Sequence, residues 1–236
     1  MSYDDWGPYI SIAERKQQVS KVVKAMIKEG HNISPVSINS PIIATTFWGK
    51  AWCKNLQTYS DSEGRLGSGR SYARYGAVVD LQITQGVVSA LVQGSSLYTV
   101  SIKIKPVPTE HWEQIRRLCL GQIASVVELL TGKLSNAVMA IIVEPNSGLF
   151  PLRTDMRLSC TCLDSASMCK HVAAALYGVG ARLDVDPSLL FQLRCVDYTE
   201  LMTSPLALGL EQVATPGTSR MLEGTDLSSL FGLELD

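Results

Sequence analysis

Hydrophobic and polar positions change period several times along the chain, and each change marks an element. From residue 12 to 29, Ile12, Val19, Val22, Val23, Met26 and Ile27 recur at near-helical spacing. Glu14, Arg15, Lys16, Lys21, Lys24 and Lys28 take the other face, and Gly30 supplies a stop. A polar stretch with Pro35 and Pro41 then sets this helix apart from the segment that follows. From Ile42 to Tyr59 the chain is apolar and Trp-rich, and residues 60–70, dense in Ser, Gly and Arg, predict a loop. The period then drops to two. Val79, Leu81 and Ile83 alternate; so do Val88, Ala90 and Val92 after Gly86, and Tyr98, Val100, Ile102 and Ile104 after Gly94-Ser95-Ser96. Three such runs with short turns predict an antiparallel meander.

Pro106 and Pro108 end that sheet. Thr109 is the expected N-cap of a helix carrying Trp112, Ile115, Cys119, Ile123, Val126, Val127 and Leu130, with Gly132 as its stop. A shorter helix is expected at 135–143, before the turn Pro145-Asn146-Ser147-Gly148, and an extended segment at 149–159. A further helix should run to about Val179, and Asp186-Pro187 should open a last helix or helix pair reaching Met202. The tail from Thr203 has no firm period. The expected fold is α+β: a small antiparallel meander with packed helices, followed by a metal-nucleated helical segment. The expected divisions are 1–41 (helix and linker), 42–148 (α+β domain), 149–202 (metal-binding segment and following helices) and 203–236 (acidic, extended tail).

Charge changes this picture modestly. The 236 residues carry a net charge of −1, but 203–236 hold five acids against Arg220 alone, −4, which leaves +3 on the rest. A mildly basic body is compatible with nucleic acid without requiring it. The longest uncharged stretch, Leu81 to Ile102, is broken by Gln, Thr, Ser and Gly and is unsuited to a bilayer. The first residues, MSYDDWGPY, lack the basic and apolar regions of a signal peptide. The expectation is a cytoplasmic protein whose six cysteines are thiols or metal ligands.

Candidate chemistry concentrates at Cys160-Thr161-Cys162, then six residues, then Cys169-Lys170-His171. Three thiols and an imidazole suit a closed tetrahedral zinc shell. Cysteines two apart point the same way from an extended segment. Within a regular helix, however, i and i+2 diverge by about 200°. Cys169 should therefore precede the helix and His171 sit in its first turn, with Val172-Ala173-Ala174-Ala175-Leu176-Tyr177 as a good helix former downstream. Lys170 can offset the formal −1 of such a shell.

The pattern C-x-C-x6-C-x-H is similar to the signature of SWIM zinc-finger proteins, and its surroundings resemble the microbial members. Carrying the resemblance are Leu158 to Asp164, Met168 to Asp184, Phe47-Trp-Gly-Lys-Ala-Trp-Cys, Arg65 to Arg74, Trp112 and Leu189 to Arg194, about residues 10–202 in all. The chain departs from the pattern at Leu163, where proline is usual, and at Gly67-Ser68, where a basic residue is usual. The resemblance implies zinc bound by Cys160, Cys162, Cys169 and His171. It also implies a role in binding DNA, RNA or protein, often beside a Swi/Snf-type helicase-like ATPase.

Arg65, Arg70 and Arg74, with Tyr72, Tyr75 and several glycines, admit two readings. They could grip phosphate and stack bases, with Lys170 beside the metal joining them. Alternatively the arginine stems lie on apolar surface and the tyrosines belong to the core. Trp48 and Trp52 share a helical face, which favours packing over a stacking platform. No P-loop, His-Glu-x-x-His or Gly-x-Ser-x-Gly pattern occurs. The expected function is therefore a non-enzymatic zinc module that binds nucleic acid or serves a helicase-like ATPase, without a small-molecule substrate. The other reading is a pure protein–protein adaptor.

Overall fold

The three alternating runs pair as β1 (Val78–Thr84), β2 (Val87–Gln93) and β3 (Leu97–Ile104). A fourth strand, β4 (Met156–Cys160), adds antiparallel to β3, so the sheet runs β1-β2-β3-β4. The computed structural model describes residues 11–59, 63–120, 134–164, 166 and 168–201. Gly86, at φ +68°, makes the tight β1–β2 turn that a side chain would strain. Register places Leu81, Ala90, Val100 and Cys160 in one row across the four strands, with Ile83, Val88, Ile102 and Leu158 in the next. This face is apolar, whereas Ser89, Thr99, Lys103 and Arg157 on the other are exposed. That is the pattern of an antiparallel sheet covered on one side.

The helices are α1 (Ile12–Lys28), α2 (Phe47–Asn55), α3 (Glu63–Arg74), α4 (Thr109–Cys119), α5 (Asn136–Ile142), α6 (Lys170–Val185) and α7 (Leu189–Leu193). Ser11 and Glu14 form a capping box on α1, and Thr46 and Ser135 cap α2 and α5. α4 begins one residue earlier than its sequence suggests: Pro108 takes the cap position without a side-chain bond, and Thr109 is the first helical residue. The continuation expected through Leu130 and the tail at 203–236 lie outside the described residues.

α6 organises the architecture. Every residue from His171 to Gly180 is buried. The indoles of Trp48 and Trp52 on α2 donate to the carbonyls of Leu183 and Leu176, both at 2.9 Å. At its C-terminal end Asp184 accepts from the backbone N–H groups of Thr45 and Thr46, which fixes the entry into α2. Arg182 donates to the Ser34 carbonyl at 2.9 Å, and the 34–36 segment pairs with β1 through Val36 N–H to Val78 O. The proline-containing stretch after α1 is thereby stitched to the sheet edge, and Val19 of α1 enters the core rather than standing apart from it.

The segment expected to be a loop at 60–70 is instead largely the helix α3. Three glycines at 64, 67 and 69 each cost about 0.8–1 kcal/mol against Ala, which hid the helix. Tertiary packing overrides that cost: Leu66, Gly69 and Ala73 are buried at helical spacing against α6. The three glycines are not equivalent. A Cβ at Gly69 would lie 2.4 Å from Ala173 Cβ and 2.9 Å from backbone atoms of Ala173 and Ala174, whereas at Gly67 it would meet nothing within 4 Å among the described residues. Gly67→Ala should accordingly stabilise by about 0.5–1 kcal/mol through helix propensity. Gly69→Ala should destabilise by about 1–3 kcal/mol, because backbone cannot retreat as a flexible side chain could. Urea unfolding midpoints of the two variants check this, and two shifts of the same sign would contradict the packing account.

Candidate metal centre

Four donors converge where β4 ends and α6 begins. Cys160 is the last residue of β4, paired with Val100. Thr161 extends the pairing past the strand: its N–H donates to Thr99 O, and its hydroxyl accepts from Thr99 N–H, both at 3.1 Å. This holds the Cys160-Thr161-Cys162 knuckle against β3. Cys169 is the N-cap of α6, its sulfur accepting from Val172 N–H at 3.5 Å, and His171 lies in the first turn. The helix boundary thus falls where the C-x-H spacing requires it.

The donor atoms of Cys160, Cys162, Cys169 and His171 all lie within 4.8 Å of one another. The imidazole Nδ1 is 3.9 Å from Cys160 Sγ and 4.0 Å from Cys169 Sγ. Tetrahedral zinc with bonds near 2.3 Å to sulfur sets donor separations at roughly 3.5–3.8 Å, so these two separations need close by only a few tenths of an ångström and the widest by no more than about 1 Å. The ring orientation is a second test. Nε2 of His171 is buried with no hydrogen-bond partner among the described residues. An orphaned ring nitrogen costs about 1–3 kcal/mol, and a bond from Nδ1 to a metal accounts for that orientation. Tyr98 stacks on the imidazole at 4.2 Å and Tyr72 meets it edge-on at 5.6 Å, fixing the ring. The residues fit the metal.

Protonation fits as well. Burial, then the Lys170 charge, pushes His171 down to about 4, which keeps the imidazole neutral and able to ligate at neutral pH. Burial pushes the Cys160 thiol up to about 12 and raises Cys169 as well. Burial would also raise Cys162, but the Asp164 backbone N–H and the neighbouring thiols donate to its sulfur and leave it lowered. A divalent ion displaces the thiol protons when it binds. α6 then presents its positive N-terminal end to the resulting thiolates.

The basic residues singled out in the sequence do not form one loop. Arg65 makes a two-pronged contact with Asp164 of the finger, Nε to Oδ2 at 3.2 Å and Nη2 to Oδ1 at 3.1 Å. That contact, followed by the Ala166 N–H, holds the Asp164 carboxyl below its ordinary range. Arg70 lies over the Tyr177 ring at 5.4 Å, and Arg74 is exposed. At about 100° per residue, Arg65 points some 140° away from Arg70, while Arg70 and Arg74 lie within about 40° of each other. Tyr72 is buried, with Lys170 over its ring at 5.2 Å. Spacing alone did not reveal Tyr98 or Gly94. Tyr98 shares its row with Val92 and Val78 at the metal end of the sheet, and only the register brings it to His171. Gly94 has no side chain to signal anything, yet a Cβ there would sit 2.8 Å from His171 Nε2.

Residues 152–179 match the SWIM zinc finger family. The chain is 32% identical over 189 residues to the uncharacterized protein Rv2102 of Mycobacterium tuberculosis, an alignment spanning 75% of this chain and 68% of that relative. No solved structure matches the chain.

Two changes probe the centre from inside and outside the ligand set. Cys162→Ser should lose the metal and with it protease protection across β4 and α6, because structural zinc contributes on the order of 10 kcal/mol in finger peptides. Gly94→Ala leaves all four ligands intact but displaces the imidazole, and should weaken metal affinity about 10–100-fold in chelator competition. Parent-like affinity in Gly94→Ala would show that the ring is not held as described.

Proposed function

This chain belongs to the same family as the mycobacterial relative, and because its residues 152–179 match the SWIM zinc finger, we propose that it holds one zinc ion in a structural role and acts as a non-enzymatic nucleic-acid-binding module. In this role it would serve a helicase-like ATPase. The observation that supports the zinc assignment is the complete donor set: four protein ligands would close a tetrahedron and leave no coordination position for substrate. The bound ion would supply cross-linking of β4 to α6 rather than a reactive water.

Nucleic-acid binding is supported by cations whose charge is not spent internally. Among the described residues Arg70, Arg74 and Lys170 make no ion pair with a carboxylate, and Lys170 is exposed directly beside a metal ligand. The second reading, a protein adaptor, draws on Leu163. This leucine is fully exposed next to Cys162, the kind of apolar tip a partner would cover. Among the described residues no helix is long and apolar enough to cross a membrane.

Titration of labelled single- and double-stranded DNA and RNA at two salt concentrations separates the readings. The nucleic-acid module binds in a salt-dependent manner, log affinity falling by about 0.7–0.9 per log unit of salt for each phosphate neutralised. The adaptor binds none at physiological salt, and affinity purification recovers the same protein partner whether or not nuclease is present.

A further inference from the structure

We propose that the cleft between α1, α3 and the β2–β3 turn seats backbone phosphates of a nucleic-acid strand, an inference that rests on the nucleic-acid reading and locates its site. The cleft has a volume of about 640 Å³ and lies beside the metal centre. Its walls bring together Arg15 and Lys21 of α1, Tyr72 and Tyr75 of α3, Gln93 before the turn, and Lys170 at the start of α6. Among the described residues three positive side chains line it, and no carboxylate does. None of the three makes an ion pair with a described residue. Glu14, the acid next to Arg15 in sequence, spends its carboxylate on the backbone N–H and hydroxyl of Ser11.

Cations left to converge without a counter-ion repel one another unless an anion joins them. Here the convergence is enforced by the fold. Arg15 lies over the Tyr75 ring at 5.9 Å and Lys170 over the Tyr72 ring at 5.2 Å, and the two rings are themselves 5.0 Å apart. The tyrosines thus hold the two cations on either side of one opening, and Lys21 is exposed on its α1 wall. Guanidinium, ammonium and amide groups are the donors that phosphate oxygens take. Base stacking is disfavoured, because Tyr72 and Tyr75 are only 9% and 6% exposed and their faces already carry cations. The cleft therefore reads the backbone, not the sequence, and differs from Arg65, whose charge is committed to Asp164.

The test compares two triple variants with equal loss of charge. One is Arg15→Gln, Lys21→Gln, Lys170→Gln. The control, Lys54→Gln, Lys103→Gln, Lys105→Gln, removes three exposed cations outside the cleft. For each, the anisotropy of a labelled oligonucleotide is titrated across a salt series, alongside metal content and unfolding midpoint. The cleft variant should keep parent metal content and midpoint and lower the salt slope by about 2–3, at 0.7–0.9 per lost phosphate contact. The control should stay near the parent. Equal flattening in both triples overturns the cleft while nucleic-acid binding stands; a parent that binds no oligonucleotide overturns both. Inorganic phosphate and a mononucleotide serve as competitors. If either displaces the oligonucleotide at a concentration similar to that of unlabelled oligonucleotide, the cleft is a small-anion site and the strand assignment fails.

Discussion

A helix buried on all sides from His171 to Gly180 has to be narrow where neighbours approach, and both its ends must be anchored. α6 meets both demands with particular residues. Ala173, Ala174, Gly178 and Gly180 keep its surface low, so that α3 approaches at Gly69, the sheet at Leu81 and α2 at Trp52. Its C-terminal half is bound to the 34–46 segment through Arg182 and Asp184. At its N-terminus, Cys169 caps Val172 N–H, and Cys169 and His171 face the thiols at the end of β4. Thiolate charge is best placed at such a helix end, where free N–H groups and the dipole favour it. The four-donor cluster therefore lies at the closure of the core, where a bound metal would lock the last strand of the sheet to the helix that the sheet covers.

That geometry links the centre to the surface that would use it. Lys170 lies between two ligands, so its position over Tyr72 depends on Cys169 and His171 being held. Tyr72 in turn touches both His171 and Tyr75, and Tyr75 carries Arg15 from α1. A contiguous set of rings and cations thus connects a buried ligand to an exposed cleft. A metal held by these residues would act by ordering that surface, which requires no open coordination position.

What the sequence made legible was local. The meander followed from alternation in three short runs, and the boundary between Cys169 and α6 followed from the divergence of i and i+2 on a helix. The convergence of the four donor residues was legible because their spacing encodes a knuckle and a helix start. α3 was obscured by glycines whose propensity argues against a helix, and the reason for Gly69 lies about a hundred residues downstream at Ala173. Arg65 looked free for phosphate, yet its partner Asp164 is equally remote in the chain. Arg15 and Lys21 read as an ordinary solvated face, since only packing of α1 on the core turns that face toward Tyr75 and Lys170. Long-range register and helix docking decide such residues, and single-sequence periodicity carries neither.

The central claim is a closed shell of three sulfurs and one nitrogen joining β4 to α6. X-ray absorption at the zinc edge of the purified protein tests it most directly. The account predicts one equivalent of zinc with three sulfur neighbours near about 2.3 Å and one nitrogen near about 2.0–2.1 Å. A shell containing a water oxygen, fewer than three sulfurs, or metal well below one equivalent that added zinc does not restore would contradict it.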